Sequence, residues 1–357
     1  MMASLDLSSA FDVVNVGLLL KRIEIIGLPP DVIELISIWL AKRFFYVSVG
    51  GINSFIHCSG VGTVQGSVLG PILYSLFVSP LLDLEKITLF ADDNYILVWN
   101  KHKNQLIIDM QFKLENITKW LKDSGLKVNE TKTELCLFNR KDQPPLQIVV
   151  NNQQLISKTH MNVLGVSFGC KLNWQNQIEN SITKAKKALN AIKIIRKYFN
   201  KNELLTLITA NYYSVLYYNS EIWHLPSNTH SSKKQLLSAS ALPLKLCVRH
   251  YDRNTSFHSL HSQTKRANPT QIMLYKLSLL LYKTYNNELI SPDWLDLFFN
   301  QTFNSRETKV NFLDLSRFKI GTNVLSNRFK ALNGTISFKM VNKSYELYKI
   351  ECKRMFC

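Results

Sequence analysis

The sequence predicts an α+β domain over residues 1–178, followed by a mostly helical region. Three observations carry that prediction. Up to residue 178, short runs rich in β-branched and aromatic residues alternate with helix-like stretches. From Gln177 to about His224 the apolar spacing turns helical, and includes "ENSITKAKKALNAIKIIRKYF". The charge changes at the same place. Residues 1–180 hold 16 of the 43 Lys+Arg and 16 of the 26 Asp+Glu, so they are neutral, and residues 181–357 carry the entire +17. A neutral half followed by a basic half implies two jobs. The basic half is a candidate polyanion surface, nucleic acid foremost, with solvated lysines on helices as the plainer alternative.

Taken in order, "ASLDLSSAFD" (3–12) opens with an apolar-alternating segment that closes at Asp6. A helix follows over 14–27, with Ser8 or Ser9 as its cap and Gly27 as its stop. Residues 28–43 predict a second helix, with Pro29 and Pro30 at its start and Asp31 and Glu34 favouring its N-terminus. "FFYVSVGG" and "SFIHCSGV" pair as a hairpin joined at Gly50–Asn53. "GTVQGSVLGPILYSLFVSPLL" (62–82) passes from a glycine-rich loop into an apolar helix, where Pro71 fits only near the first turn. An amphipathic stretch over 104–123 and short strands over 146–168, with a turn at "NNQQ" (151–154), complete the first half. Beyond the helical run, Pro226–Lys234 is polar and reads as a linker, and 272–286 predicts a further helix.

A length of 357 residues with 46% hydrophobic content allows a sizeable core and two or three domains, and excludes a disordered chain. The longest apolar run, Leu69–Leu82, is broken by Ser75, Ser79 and Pro80, so no membrane association is expected. Asp6 arrives before any apolar stretch that would mark a secretion signal. Cys58, Cys136, Cys170, Cys247, Cys352 and Cys357 follow neither a disulfide framework nor a zinc spacing. The expectation is a chain with reduced thiols, in the nucleus or cytoplasm and not secreted.

The stretch "ITLFADDNYILVW" (87–99) raises the sharpest question. Strand-like residues flank Asp92, Asp93 and Asn94, which predicts a hairpin with acids at its tip. Asp and Asn are ordinary turn residues, so a wet tip is one reading. The other is a metal site, because adjacent carboxylates among apolar strands need a cation partner. Deciding between them requires a third ligand elsewhere.

Asp6, the glycine turn in "QGSVLGP" (65–71) and the Asp92–Asp93 pair, in this order, resemble the palm of reverse transcriptases. The likeness is to the non-LTR, LINE-like retrotransposon family. It rests on "LDLSSAFD", "GTVQGSVLGPIL" and "FADD", and continues through "WLKDSGLKVNETKTE", "VLGVSFGCKLNW" and "YYSVLYYNSEIW", about the first two thirds of the chain. It implies a palm, an antiparallel sheet with packed helices, over 1–178, with primer-grip strands near 160–170. A helical thumb over 179–228 and a basic C-terminal region over 229–357 would follow. The implied activity is RNA-directed DNA polymerisation, by nucleotidyl transfer with two Mg²⁺ ions, or Mn²⁺ in their place. The implied partners are an RNA template, a DNA primer and dNTPs.

Residue by residue, the resemblance implies that Asp6, Asp92 and Asp93 hold the metal ions. Carboxylate oxygens suit such hard cations, and two ions can activate the attacking oxygen and stabilise the leaving group. Asp6 alone reads equally as a strand-end cap. Phe11 stands at the family's aromatic gate, where a ring would crowd a ribose 2′-hydroxyl, although core packing is its ordinary role. Gln65 and Gly66 match a nucleotide and template contact. Lys132 matches a position proposed to protonate pyrophosphate, or is a solvated lysine. Leu164 and Gly165, in "VLGV", match the primer grip, and Lys184, Lys186, Lys187, Lys193, Arg196 and Lys197 match phosphate contacts of a thumb.

The chain departs from the family at Val64, usually Pro, at Ser79–Pro80, usually Asn-Asp, at Gly169, usually Asp, and at Gln177, usually His. Only five residues precede Asp6, where the family carries a fingers region and, further upstream, an endonuclease. The expectation is therefore a truncated polymerase whose Asp6 strand exposes apolar surface. The alternative is a catalytically inactive nucleic-acid-binding remnant.

Overall fold

In the computed structural model, the segment that opens the chain lies in the middle of a sheet. The structure describes residues 1–41, 43–83, 87–138, 144–150, 153–224, 229–248 and 255–285. The chain divides into two compact units, Met1–Asn173 and Trp174–Cys357. The expected boundary at 178 thus falls five residues inside the second unit, after a helix has begun.

In the first unit, β1 (Met2–Leu5) pairs antiparallel on one side with β7 (Asp93–Leu97), and on the other with β8 (Glu134–Cys136). With β6 (Ile87–Phe90), β9 (Gln147–Val150) and β10 (Gln153–Lys158) they form one sheet in the order β6-β7-β1-β8-β10-β9. Only the β8–β10 pairing is parallel. The alternation of β1 sends Ala3 and Leu5 into the core, where both are fully buried. The expected exposed apolar face on this strand is therefore not found, because β7 and β8 cover its edges and the core covers its apolar side.

Helices α1 (Val16–Ile25), α2 (Pro30–Ala41), α3 (Leu69–Val78) and α4 (Lys103–Asp123) supply the rest of this core. The cap of α1 is Asn15, whose side chain accepts from the Leu18 N–H; it is neither Ser8 nor Ser9. Along α4, Leu106, Met110, Leu114, Ile117 and Leu121 make one buried stripe. Arg22 ties three helices together. Its guanidinium lies 4.3 Å from the Phe77 ring and 4.8 Å from that of Trp120, and donates to the Phe77 carbonyl and to Ser124 Oγ.

Between α2 and α3 the expected hairpin forms in two storeys. β2 (Arg43–Phe45) pairs with β5 (His57–Ser59), and β3 (Ser48–Val49) with β4 (Ile52–Asn53). Its turn is the two residues Gly50–Gly51, both with positive φ. The exposed apolar side chains of this unit include Phe44, Ile52 and Phe55 on this arm and Val68 ahead of α3. A last hairpin, β11 (His160–Val163) and β12 (Val166–Gly169), turns at Leu164–Gly165.

The second unit is helical in its described part. α5 (Gln175–Ile195) buries Ile178, Ser181, Ala185, Leu189 and Ile192 along one side. After α6 (Lys201–Ile208), which opens with an Asn200–Glu203 capping box, a π-helical turn (Thr209–Tyr213) leads into the short α7 (Ser214–Leu216) and α8 (Ser220–Trp223). The Tyr212 and Tyr213 hydroxyls donate to the carbonyls of Ala239 and Ser240 in α9 (His230–Ala241), at 2.8 and 2.7 Å. Residues 230–234, expected in a linker, are thus the first turn of a packed helix that Thr229 caps. α10 (Phe257–Gln263) and α11 (Pro269–Tyr285) follow; the C-terminal region from 286 onward lies outside the described residues.

Candidate active site

The β6–β7 hairpin turns on Ala91 and Asp92, because Phe90 already pairs with Asp93. Asp93 and Asn94 therefore belong to β7 and not to the tip, one correction to the expected geometry. Ala91 has φ +53, a conformation that costs a residue with a Cβ roughly 1–2 kcal/mol. Next door, Leu5 pairs with Asn94, which sets Asp6 at the end of β1 beside the hairpin. Asn94 is buried and its amide donates to the Asp92 carbonyl, bracing the turn from below.

Asp93 senses the other two carboxylates. Asp93 is held above the ordinary carboxylate range, first by burial, then by the Asp92 charge and more weakly by that of Asp6; a hydrogen bond from Tyr95 works the other way. Carboxylate oxygens are hard donors that suit a divalent cation, which would offset the charge that Asp92 and Asp6 impose on Asp93. Among the described residues, no three His, Cys, Asp or Glu side chains stand close enough together to hold a metal ion, so Asp6, Asp92 and Asp93 are not a preformed ligand set in this structure. The donor chemistry suits the ion.

Lys132 reaches this corner through a pinned turn. The Asn129 N–H donates to the Asp6 carbonyl at 2.8 Å, the chain folds back through Asn129–Thr133, and Lys132 Nζ lies 3.7 Å from Asp6 Oδ2. The pair is partly exposed, so its contribution to stability is at most about 1 kcal/mol.

Phe11 is half-buried and stacks on Tyr74 of α3, with ring centroids 4.4 Å apart. Tyr74 faces the hairpin: burial first, and then the Asp92 charge, push its phenol well above the usual range. Beside them, Gln65 donates to Asp12 Oδ1 at 2.7 Å. The Gly62 and Thr63 N–H groups clamp the same loop by donating to the Val14 and Phe11 carbonyls. Gly62 sits at φ +84, and a Cβ there would lie 2.5 Å from the Asp12 carbonyl oxygen, so only glycine fits. Gly66, at φ +79, turns the chain towards α3, whose Gly70 N–H is taken by Ser67 Oγ.

The Leu164–Gly165 turn also comes to the sheet. Both residues have positive φ, the pattern of a type I′ hairpin, and the Leu164 N–H donates to the Tyr95 hydroxyl at 3.3 Å. Asp6, Asp92, Asp93, Lys132 and, through Tyr95, Leu164 thus share one end of the sheet, with Phe11 and Gln65 on the adjoining loops. The second unit holds the other six expected residues. Lys184, Lys186, Lys187 and Lys193 on α5, with Arg196 and Lys197 beyond it, are all exposed and away from the buried stripe. Sequence reasoning left out Asp12, Tyr74 and Tyr95. Asp12 lies in the quoted "LDLSSAFD" and was recoverable there, whereas Tyr74 and Tyr95 read as ordinary core residues.

Comparison with known proteins bears on the family of the chain. Residues 1–168 match the family described as reverse transcriptase (RNA-dependent DNA polymerase). The first 168 residues are a reverse transcriptase domain. The chain is 27% identical over 259 residues to the RNA-directed DNA polymerase from mobile element jockey of Drosophila melanogaster, covering 67% of this chain and 28% of that protein. It is 24% identical over 270 residues to the probable RNA-directed DNA polymerase from transposon X-element of the same species, covering 71% of this chain and 29% of that protein. The chain therefore spans less than a third of these curated relatives. Among solved structures, the chain is similar to a telomerase from Candida albicans at 12% identity and a TM-score of 0.37, over 83% of this chain and 50% of that one. Reverse transcriptases generally use divalent metal ions. No described helix of this chain is long and apolar enough to cross a membrane.

Proposed function

We infer that the reverse transcriptase domain extends a DNA primer on an RNA template, as a polymerase of a non-LTR retrotransposon. The observation that supports this reading is the strand register, Leu5 against Asn94 and Phe90 against Asp93, which brings Asp6 at the end of β1 beside the Asp92–Asp93 hairpin. Asp6, Asp92 and Asp93 would hold two Mg²⁺ ions, or Mn²⁺, which when bound activate the primer 3′-oxygen and neutralise the leaving pyrophosphate. Lys132, 3.7 Å from Asp6, supplies a cation on that side and in this reading donates a proton to the departing phosphate. Phe11, backed by Tyr74, forms the wall against a 2′-hydroxyl. Gln65, oriented by Asp12, and the turn at Gly66 meet the nucleotide and template. Leu164 and Gly165 hold the primer end. Lys184, Lys186, Lys187, Lys193, Arg196 and Lys197 bind phosphates without reading sequence.

Primer extension on an RNA template with dNTPs and Mg²⁺ tests the reading. Product that disappears in Asp92→Asn supports it. A second reading, nucleic-acid binding without synthesis, is favoured by the charge of residues 181–357, where 27 Lys+Arg face 10 Asp+Glu. The Asp92→Asn, Asp93→Asn double variant separates the two: it abolishes synthesis in the first case and leaves binding untouched in both, so an inactive wild type that still binds RNA would point to the second.

A further inference from the structure

The register of β1 and β7 fixes which side chains share a face with the carboxylates. Ala3 and Leu5 of β1, and their partners Ile96 and Asn94 of β7, are buried on the core side. By alternation, Ser4, Asp6, Asp93 and Tyr95 lie on the opposite face. Tyr95 is buried there all the same, at 7% exposure, and its hydroxyl joins two parts of the site. On one side is Asp93, two residues back on the same strand face, to which the hydroxyl donates a hydrogen bond. On the other is the Leu164–Gly165 turn, 69 residues further along, where the Leu164 N–H donates to the same oxygen at 3.3 Å. A phenol suits both contacts at once, since it gives a proton to a carboxylate and accepts from an N–H. Burial foremost holds its pKa above the ordinary phenol value, against the pull of the Leu164 N–H, so the bridging proton stays in place at neutral pH.

The turn itself is held in an unfavourable conformation. A two-residue type I′ turn favours Asn, Asp or Gly at its first position, because φ is positive there. Here that position is Leu164, at φ +47. A left-handed leucine persists only where its surroundings over-determine it, and such outliers cluster at active sites and ligand clamps. Gly165 beside it is exposed, so the outer side of the turn is open to a ligand. We propose that Tyr95 is a positioning residue that ties the Leu164–Gly165 turn to Asp93, so that a primer end seated on the turn is aligned with the carboxylates. The proposal rests on the polymerase reading above, and adds to it the group that sets the primer end against the reacting centre. Tyr95 acts through Asp93 and Leu164, not by touching the nucleotide.

The test is single-nucleotide extension by the full chain on an RNA template with Mg²⁺, using primers that end in a matched or a mispaired base. Tyr95→Phe keeps the ring and removes only the hydroxyl, so its melting temperature should stay within about 5 °C of wild type. Its maximal rate on matched primers should fall about tenfold, with KM for the nucleotide changed less than about twofold. Extension of mispaired primers, whose ends are already out of line, should change less than about twofold, so discrimination between the two primers narrows. A loss of folded protein would lower both rates alike. Gly165→Ala puts a Cβ at φ +78 and strains the turn without altering Tyr95, and it should narrow the same discrimination. Equal losses on both primers in either variant, or a full rate on matched primers in Tyr95→Phe, would overturn the proposal and leave the polymerase reading standing. A folded wild type that extends neither primer would sink the polymerase reading and this proposal with it.

Discussion

The Phe11 ring lies over the Tyr74 ring at 4.4 Å, with 30° between their planes. The contact joins the loop after β1 to α3, so the position of Phe11 depends on a residue 63 places away. Tyr74 Oη is buried and has no hydrogen-bond partner among the described residues. Tyr74→Phe should therefore be neutral or stabilise by about 1 kcal/mol in urea unfolding, because an unpaired buried hydroxyl is removed. Tyr74→Leu keeps an apolar core but takes away the ring beneath Phe11. Selectivity for deoxynucleotides over ribonucleotides should fall about tenfold in primer extension, with dNTP incorporation changing much less.

Asp93 gives a pH signature. Its raised value means that ionising it opposes folding. That opposition is absent below the ordinary carboxylate range, grows as pH rises from there through the raised value, and is complete above it. Asp93→Asn should melt about 1–3 °C higher than wild type at pH 7 without divalent ions, and the gap should close as pH falls to 3. Mg²⁺ should raise the melting temperature of wild type but not that of Asp92→Asn with Asp93→Asn. A wild-type melt indifferent to Mg²⁺ over a millimolar range would argue against the metal site.

Lys132 separates a catalytic from a structural role. The Lys132–Asp6 pair is partly exposed, so Lys132→Gln should change unfolding free energy by less than about 1 kcal/mol. If the lysine protonates the leaving group, the same change should slow single-nucleotide incorporation about 10²-fold or more with little effect on KM. An equal rise in KM with an unchanged rate would assign it to binding instead.

Gly62 is a test of the clamp on the Asp12–Gln65 loop. Gly62→Ala forces a Cβ to within 2.5 Å of the Asp12 carbonyl at a positive φ, and should cost about 2–3 kcal/mol in urea unfolding. Gly60→Ala, whose Cβ meets nothing within 4 Å, should be close to neutral. Comparable losses at the two positions would mean that loop entropy, and not the clamp, sets the cost.

Much of the first unit was legible because its signals are local. The period-2 run of β1, the glycine turn before α3, the apolar stripe of α4 and the twin arms around Asp92 each declare themselves within a dozen residues. Errors arose where the signal depended on the rest of the fold. Ser8 and Ser9 are as good caps as Asn15 by type, but the backbone becomes helical only at Val16. The polar run after residue 228 read as a linker, yet it is helix α9, whose buried side includes Ser232, Leu236 and Ala239. The hairpin turns at Ala91–Asp92 and not at Asp92–Asn94, because strand pairing, and not composition, decides which residues turn.

The sequence by itself determined the α+β class, the carboxylates at positions 6, 92 and 93, the basic second half and the resemblance to a polymerase palm. These depend on residue types and short spacings, which survive without coordinates. Tertiary structure alone decided which side chains share a site. The β1–β7 register sets Asp6 beside Asp93, the pinned turn brings Lys132 to Asp6, Tyr95 catches the Leu164 turn, and Tyr74 underlies Phe11. Those partners are 63 to 126 residues apart in sequence, and contacts at such separations follow from how strands register and helices pack, which no local pattern encodes.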